Sequence, residues 1–222
     1  MTYRRVKKSS DPKIIGVKNG IYQVEIKPNI SFQNKKEEKL FDNYFDNSLS
    51  YFKSTEYKPL DKSAITYIRF IPLKSAYETD IVSHSPNVNA MFGIISDKVL
   101  RLIEKFKLPE FIKIRAEIEG FENDYFFVGF PIISYDLIDF SKSKFYHTKN
   151  QIITKVKNKE DYIENSILSS NLFSQELFLL KKVSTDIFYL QSEGLFFSNK
   201  LLSALEKENI TGLEITDNIL SF

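Results

Sequence analysis

Two carboxylates, Asp136 and Asp139, stand three positions apart and could together hold a metal ion or exchange a proton during hydrolysis. Glu117 could add a third carboxylate, as in a metal-dependent nuclease, where a divalent cation activates the attacking water. The upstream acidic residue that such a centre requires has no convincing counterpart, and an acidic pair at the end of a strand usually forms a solvated turn. A metal-dependent hydrolase or nuclease is therefore one alternative for this chain, but we expect no catalytic residue and no metal site.

The sequence also lacks the residues and motifs of other kinds of catalytic site. The two histidines, His84 and His147, lie far apart, neither belongs to a metal-binding motif, and the chain has no cysteine. The sequence contains no glycine-rich phosphate loop and no nucleophile elbow. We therefore expect a protein that is not an enzyme and that uses no cofactor.

The basic residues at the start of the chain favour a second alternative, a small nucleic-acid-binding protein. Arg4, Arg5, Lys7 and Lys8 could contact phosphate groups. The whole chain, however, has 31 Lys and Arg against 29 Asp and Glu, whereas a dedicated nucleic-acid binder is strongly basic. We therefore expect that nucleic acid is not the partner.

Length and hydropathy indicate one domain away from the membrane. The 222 residues can bury a core that needs no disulfide. No apolar segment follows the basic start, and the longest apolar run, "YFFVGFPII", is too short to span a bilayer and contains Pro131. We expect a single domain over residues 1–222 in a cytoplasmic protein.

A segment that occurs twice indicates the elements of the fold. Residues 95–111, "ISDKVLRLIEKFKLPEF", resemble residues 197–213, "FSNKLLSALEKENITGL", at an offset of 102 positions. In each copy a serine, Ser96 or Ser198, follows a short apolar run and precedes apolar residues at helical spacing. This pattern predicts a strand and then a helix that the serine hydroxyl caps. Duplication and convergence on one local solution would both account for the similarity.

Two further elements complete the predicted fold. Asn19-Gly20 lies between two β-prone runs and predicts a hairpin, because both turn positions require positive φ. Residues 37–53 predict an amphipathic helix with Phe41 and Phe45 on its apolar face. The expected fold class is α+β: a mostly antiparallel sheet with two equivalent Ser-capped helices packed on it, an N-terminal hairpin and an additional amphipathic helix.

The order of several short motifs resembles a known family. The motifs are Thr79-Asp80, Ser96-Asp97-Lys98, the strand at 125–128, Asp139 with Ser143 and Phe145, and the segment 198–215, which contains Thr211-Gly212. In their order and spacing they resemble the bacterial immunity-protein family of polymorphic toxin systems, formerly classed as a domain of unknown function. The resemblance covers about 76–215 within a family-like part, 76–222, whereas residues 1–75 match less clearly and form a variable N-terminal part.

This resemblance implies a protein that protects its producer during interbacterial competition. Such a protein binds and neutralises a cognate bacterial toxin domain in the cytoplasm and has no catalytic residues. We expect the contact on the predicted helix 37–53, where Tyr44 and Tyr51 border the apolar stripe and Asp42 and Asp46 lie along its other edge. Tyrosine is favoured at interface hot spots, and carboxylates would steer a basic partner.

Overall fold

The computed structural model describes residues 2–18, 20–45, 64–88, 91–169 and 171–222. Within them, short α-helices accompany two β-sheets, which confirms the predicted α+β class. The helices are α1 (Pro12–Ile15), α2 (Lys35–Tyr44), α3 (Asp97–Ile103), α4 (Lys159–Tyr162) and α5 (Asn199–Lys207), with a 3₁₀ turn at Tyr135–Leu137 and a π-helical segment at Ile163–Leu168. No helix in these ranges is long and apolar enough to cross a membrane.

The first sheet curls around an apolar core. Its strands in the described ranges are β2 (Val24–Glu25), β3 (Ile68–Pro72), β4 (Ile81–Val82), β5 (His84–Ser85), β6 (Met91–Ser96), β7 (Ile112–Ile118) and β8 (Tyr125–Gly129). They lie in the order β4-β6-β8-β7-β3-β2-β5, so the two end strands are separated in the chain only by Ser83. The apolar cluster of this sheet includes Ile68, Phe70 and Phe127, all fully buried.

The second sheet gathers strands from both ends of the chain. Its strands, over the same ranges, are β1 (Tyr3–Lys8), β9 (Ile132–Ile133), β10 (Lys144–His147), β11 (Ile152–Thr154), β12 (Leu172–Phe178), β13 (Ile187–Leu190), β14 (Gly194–Ser198) and β15 (Leu213–Ser221). Their order is β11-β10-β12-β15-β1-β14-β13-β9. Tyr3, Phe188 and Phe196 belong to the apolar cluster on one face of this sheet.

Both sheets contain the same arrangement of five strands. In the first unit, residues 68–129, the order is β4-β6-β8-β7-β3; in the second unit, residues 172–221 together with β1, it is β13-β14-β1-β15-β12. In each unit the first three neighbouring pairs are antiparallel and the last pair is parallel. The strand that corresponds to β8 in the second unit is therefore β1, from the start of the chain.

The strand registers of the two units also correspond. Ser96 lies opposite Tyr125 in the first unit, and Ser198 lies opposite Tyr3 in the second. The Tyr125 hydroxyl donates to the Thr79 carbonyl at 2.9 Å, as the Tyr3 hydroxyl does to the Thr185 carbonyl at 2.7 Å. The buried residues that match between the strands are Tyr3 and Tyr125, and Val6 and Val128.

In each unit the helix begins at a serine whose hydroxyl also donates a hydrogen bond to an aspartate. The Ser96 hydroxyl accepts the N–H three residues further on at 3.3 Å and donates to Asp80 Oδ1 at 3.0 Å. The Ser198 hydroxyl does the same, at 3.4 Å to the N–H and 2.7 Å to Asp186 Oδ1. A serine at the N-cap satisfies an N–H that the helix leaves without a partner.

Each of these aspartates also binds the loop that follows the helix of the other unit. Thr211, after α5, donates its N–H at 3.0 Å and its hydroxyl at 3.1 Å to Asp80 Oδ2. Lys107, after α3, donates its N–H to Asp186 Oδ2 at 2.9 Å. The backbone pairs in return, from Ile81 N–H to the Thr211 carbonyl at 3.0 Å and from Asp186 N–H to the Lys107 carbonyl at 2.6 Å. We term this pair of contacts the reciprocal clasp.

A shared apolar cluster lies beside the clasp. Helices α3 and α5 contact each other and contribute matching side chains. The matching residues are Val99 and Leu201, Leu100 and Leu202, and Ile103 and Leu205, all buried. The two units therefore share one central core.

Two parts of the predicted fold need correction. The hairpin at Asn19-Gly20 is wrong, because Asp11 caps a helical turn that begins at Pro12, and Gly16 ends it at φ +77°. Asn19 itself lies outside the described residues, and β2 pairs with β3 and β5 instead. The single sheet is replaced by two sheets, because each unit builds its own. Antiparallel pairs predominate among the described strands, as predicted, although each sheet also contains parallel pairs.

The predicted helix at 37–53 is described only in its first part. Helix α2 begins two residues earlier, at Lys35, because Asn34 caps it, and it ends at Tyr44. Phe41 and Phe45 of the predicted apolar face are buried. The remainder of the prediction, from residue 46 onward, lies outside the described residues.

Gly212 offers a test of the clasp, because its φ is +85° and a Cβ there would lie 2.0 Å from the Ile81 carbonyl oxygen. We expect Gly212→Ala to lower the free energy of unfolding by about 3 kcal/mol, since the overlap adds to about 1 kcal/mol of left-handed strain. Gly120 is the matched control, because its φ is +79° and no described atom lies within 4 Å of the added Cβ. Urea unfolding measures both variants, and equal losses would contradict the close contact.

Candidate partner-binding groove

Helix α2 forms one wall of a groove on the first sheet. Asn34 fixes its start by accepting the N–H groups of Lys36 and Glu37 at 2.9 and 3.0 Å. The Phe41 and Phe45 rings lie 4.8 Å apart, and Phe41 reaches the ring of Phe127 at 6.4 Å. Aromatic packing therefore holds the helix against the core of the first sheet.

The other wall comes from chain segments that follow β2 and β5. Phe32, just before α2, stands 5.1 Å from the Phe41 ring. The cavity has a volume of about 330 Å³ and is lined by Ile26, Pro28, Phe32, Glu38, Phe41, Asp42, Phe45, Pro86 and Val88. Seven of these nine side chains are apolar, so the floor of the groove suits an apolar group.

Two carboxylates stand at the rim of the groove. Glu38 and Asp42 are one helical turn apart and therefore lie on the same face of α2. Glu38 Oε1 accepts the Asn29 N–H at 3.0 Å, whereas Asp42 is exposed and forms no ion pair with any described residue. Carboxylates at the rim of an apolar groove suit a lysine or arginine. The aliphatic part of its side chain can pack on the apolar residues while its charged group contacts the carboxylates.

His84 supports the wall that Pro86 forms. Its Nδ1 lies 3.0 Å from the Pro86 carbonyl oxygen, and its ring meets Phe127 edge-to-face at 4.8 Å. Its Nε2 is buried without a hydrogen-bond partner among the described residues. Burial, and after it the charge of Lys8, holds the pKa of His84 well below its usual value, so the imidazole is neutral at pH 7.

The structure describes two of the four residues that the sequence predicted for partner contact. Asp42 lies at the rim of the groove. Tyr44 is the last residue of α2. Asp46 and Tyr51 lie outside the described residues. The periodicity of the helix thus found one of the two rim carboxylates.

The three carboxylates considered for catalysis each contact other side chains. Asp136, in the 3₁₀ turn, contacts Lys159 at 2.5 Å, and this hydrogen bond lowers the pKa of Asp136. The Ser141 hydroxyl, 2.6 Å away, lowers the pKa of Asp139. Glu117 lies on β7 of the first sheet, 3.7 Å from an arginine on β3. No group of three His, Cys, Asp or Glu among the described residues could hold a metal ion.

The basic start of the chain is a central strand. Arg4 pairs with Asp217 at 3.4 Å, and Lys7 pairs with Glu214 at 2.7 Å across β15. Lys8 lies mostly buried, and burial lowers its pKa to about 8. The basic start of the chain is therefore part of the second sheet rather than a separate tail.

Several of the residues that carry the family resemblance meet in the reciprocal clasp. Thr79-Asp80, Ser96 and Thr211-Gly212 come from three separate segments and contact one another there. The second copy of the first motif, Thr185-Asp186, was not predicted. The repeated tripeptide Thr-Asp-Ile, at 79–81 and 185–187, was the available signal.

No family model matches this chain, and no curated protein matches it either.

The lowered pKa of His84 predicts that the folded protein loses stability in mild acid. The unfolded chain binds a proton at His84 below about pH 6.5, whereas the folded protein keeps the ring neutral, so unfolding becomes easier as the pH falls. Where only the unfolded chain is protonated, the free energy of unfolding falls by at most about 1.4 kcal/mol per pH unit. Carboxylates with lowered pKa values, such as that of Glu214, also stabilise the folded protein, but this stabilisation is lost at a lower pH than the effect of His84.

The measurement is urea unfolding of wild type and His84→Gln at several pH values. In the variant, the free energy of unfolding should depend much less on pH than in wild type, whatever its absolute stability. His147→Gln, at the other histidine, is the matched control and should keep the slope of the wild type. A slope that persists in His84→Gln would show that another group causes it.

Proposed function

We propose that this protein is an immunity protein that binds and neutralises a cognate bacterial toxin domain in the cytoplasm, without catalysis. The observation that carries the proposal is the acid-rimmed apolar groove along α2, which Glu38 and Asp42 border. An exposed groove of this kind has the features of a protein-binding surface, namely an apolar centre within a polar rim. The partner that fits it is a basic, partly apolar segment of the toxin.

The positions of the family-like motifs support the proposal. Asp80, Ser96, Ser198 and Thr211 of the motifs lie at the clasp and at the helix starts, where they hold elements of the fold together. The groove is built mainly by residues 26–45, which belong to the part of the chain that matches the family less clearly. A shared scaffold with a variable contact surface is the organisation that immunity to different toxins would require.

Neutralisation would follow from occupation of the toxin surface. A lysine or arginine of the toxin would extend its stem over Phe32 and Phe41 and place its charge between Glu38 and Asp42. The carboxylates would accelerate the encounter with a basic surface, and the apolar floor would slow dissociation. A toxin whose basic residues bind its substrate would lose access to that substrate.

The direct experiment identifies the toxin and measures its affinity. We expect the tagged protein, purified from its source cell, to retain a toxin domain, whose binding is then quantified by calorimetry. Asp42→Lys should weaken binding at least tenfold, because it reverses a charge at the rim. Tyr44→Ala and Tyr51→Ala extend the test along the predicted helix, where hot-spot truncation typically costs about 2 kcal/mol.

Glu119→Lys is the matched control for charge. Glu119 is exposed, forms no ion pair with a described residue and does not line the groove, so this variant makes the same charge change elsewhere. Equal effects of Asp42→Lys and Glu119→Lys would mean that net charge matters rather than the groove. Unchanged affinity in Asp42→Lys, Tyr44→Ala and Tyr51→Ala would remove α2 from the interface.

The absence of catalysis is tested separately. We expect Asp136→Asn and Asp139→Asn to protect a toxin-exposed cell as well as wild type does, because protection requires binding alone. The purified protein is also assayed for hydrolysis of nucleic acid and phosphate esters with added divalent metal. Metal-stimulated turnover that Asp136→Asn abolishes would support the hydrolase alternative and contradict the proposal.

A further inference from the structure

A second surface, opposite in charge to the groove, lies on the hairpin of β10 and β11. From Lys142 to Lys159 the chain carries six lysines and no acidic residue. This segment supplies the outermost strands at one end of the second sheet. The near-zero net charge of the whole chain conceals this local excess.

Strand β11 is an exposed edge. Among the described residues it pairs only with β10, so one side of its backbone has N–H and C=O groups without a strand partner. Ile152 and Ile153 are 52% and 62% exposed, although neighbouring residues on a strand point to opposite faces. The edge is therefore open both along its backbone and on its two faces.

An apolar row continues from this edge across the sheet. Ile153 lies opposite Tyr146 of β10, and Tyr146 lies opposite Phe173 of β12, so the three side chains share one face. Phe173 is 54% exposed. Phe145, on the opposite face, is buried in the apolar cluster of the second sheet. A cavity of about 670 Å³ adjoins the row and is lined by Tyr146, Thr148, Phe173, Ser174, Gln175, Asp217 and Asn218.

Half of the lysines have charge available for a partner. Three of them form ion pairs within the protein: Lys142 with Asp139, Lys144 with Glu176, and Lys159 with Asp136. The other three, Lys149, Lys155 and Lys157, are exposed and form no ion pair with a described residue. All three lie within five residues of β11.

We propose that β11 binds an extended, acidic segment of a protein partner, which adds to the sheet as a further strand. The backbone of the segment would pair with the free edge of β11, and its alternate apolar side chains would cover Ile153 and the row beside it. Carboxylates of the segment beyond the residues that pair with β11 would meet Lys149, Lys155 and Lys157, which lie outside the strand. This site is independent of the groove and of the toxin's identity.

Charge and shape select this occupant over two others. A second copy of the chain would bring its own lysines against these lysines, and lysines at an edge strand usually prevent such self-pairing. A nucleic acid would meet the lysines and the aromatic rings, but it offers no strand for the backbone edge and no apolar groups for the isoleucines. An acidic strand complements the lysines, the free backbone edge and the exposed isoleucines.

The test uses synthetic peptides and the full chain. The probe is an acetylated peptide of alternating Glu and Val, and its controls are an alternating Lys and Val peptide and a peptide in which the same Glu and Val residues are grouped into blocks. Binding is followed by NMR of ¹⁵N-labelled protein. We expect the alternating acidic peptide to slow amide exchange at 151–155 and to bind at least tenfold more tightly than either control.

Two matched variants locate the site. Ile153→Lys places a charge on the apolar row and should weaken binding at least tenfold, while far-ultraviolet circular dichroism checks that it folds. Leu180→Lys makes the same change at a residue that is also 62% exposed but lies outside the hairpin, and should bind like wild type.

Several results would overturn the proposal. One is the absence of saturable binding, and another is equal binding of the two acidic peptides. Equal effects of Ile153→Lys and Leu180→Lys would also reject this site. Concentration-dependent dimerisation abolished by Ile153→Lys would assign the edge to a second copy, and tighter binding of a single-stranded oligonucleotide than of the peptide would assign the surface to nucleic acid.

Discussion

The reciprocal clasp is the constraint on which the rest of the structure depends. Asp186 is fully buried and accepts hydrogen bonds from Ser198 of its own unit and from the Lys107 N–H of the other, with the Lys200 ammonium 3.0 Å away. Burial alone would raise the pKa of Asp186, but these hydrogen bonds outweigh it and lower the pKa. A buried carboxylate without its partners is strongly destabilising. Each unit therefore needs the loop of the other to satisfy the aspartate that contacts its capping serine.

Strands from both ends of the sequence also lie side by side. The second unit obtains the strand that matches β8 from β1, where Tyr3 takes the place of Tyr125 beside the capping serine. Tyr3 also lies opposite Leu220, so residues more than two hundred positions apart are neighbours in the sheet. Contacts this distant in sequence slow folding, because the loop they close is long. Once formed, they place the Arg4 and Lys7 side chains beside acidic residues of β15.

The sequence predicted the local features better than the distant ones. The caps at Ser96 and Ser198 and the apolar spacing after them depend on a few neighbouring residues, and helices begin at those positions. The hairpin at Asn19-Gly20 failed because a nearer signal, Asp11 followed by proline, competes for the same residues. The sequence predicted contact residues on α2 but not the groove itself. The opposite wall contains Pro28 and Pro86, which come together because β2 pairs with β5, and no local sequence pattern predicts that pairing.

The near-balance of charge in the whole chain hides two unlike surfaces. Carboxylates border the groove on the first sheet, whereas lysines surround an edge of the second. Screening limits the reach of each charge to about 10 Å at ordinary ionic strength, so a partner responds to the local excess and not to the net charge. Because the two surfaces have opposite signs, a single segment cannot suit both. A partner that engaged both would need a basic and an acidic segment, and losing either contact would leave the other intact.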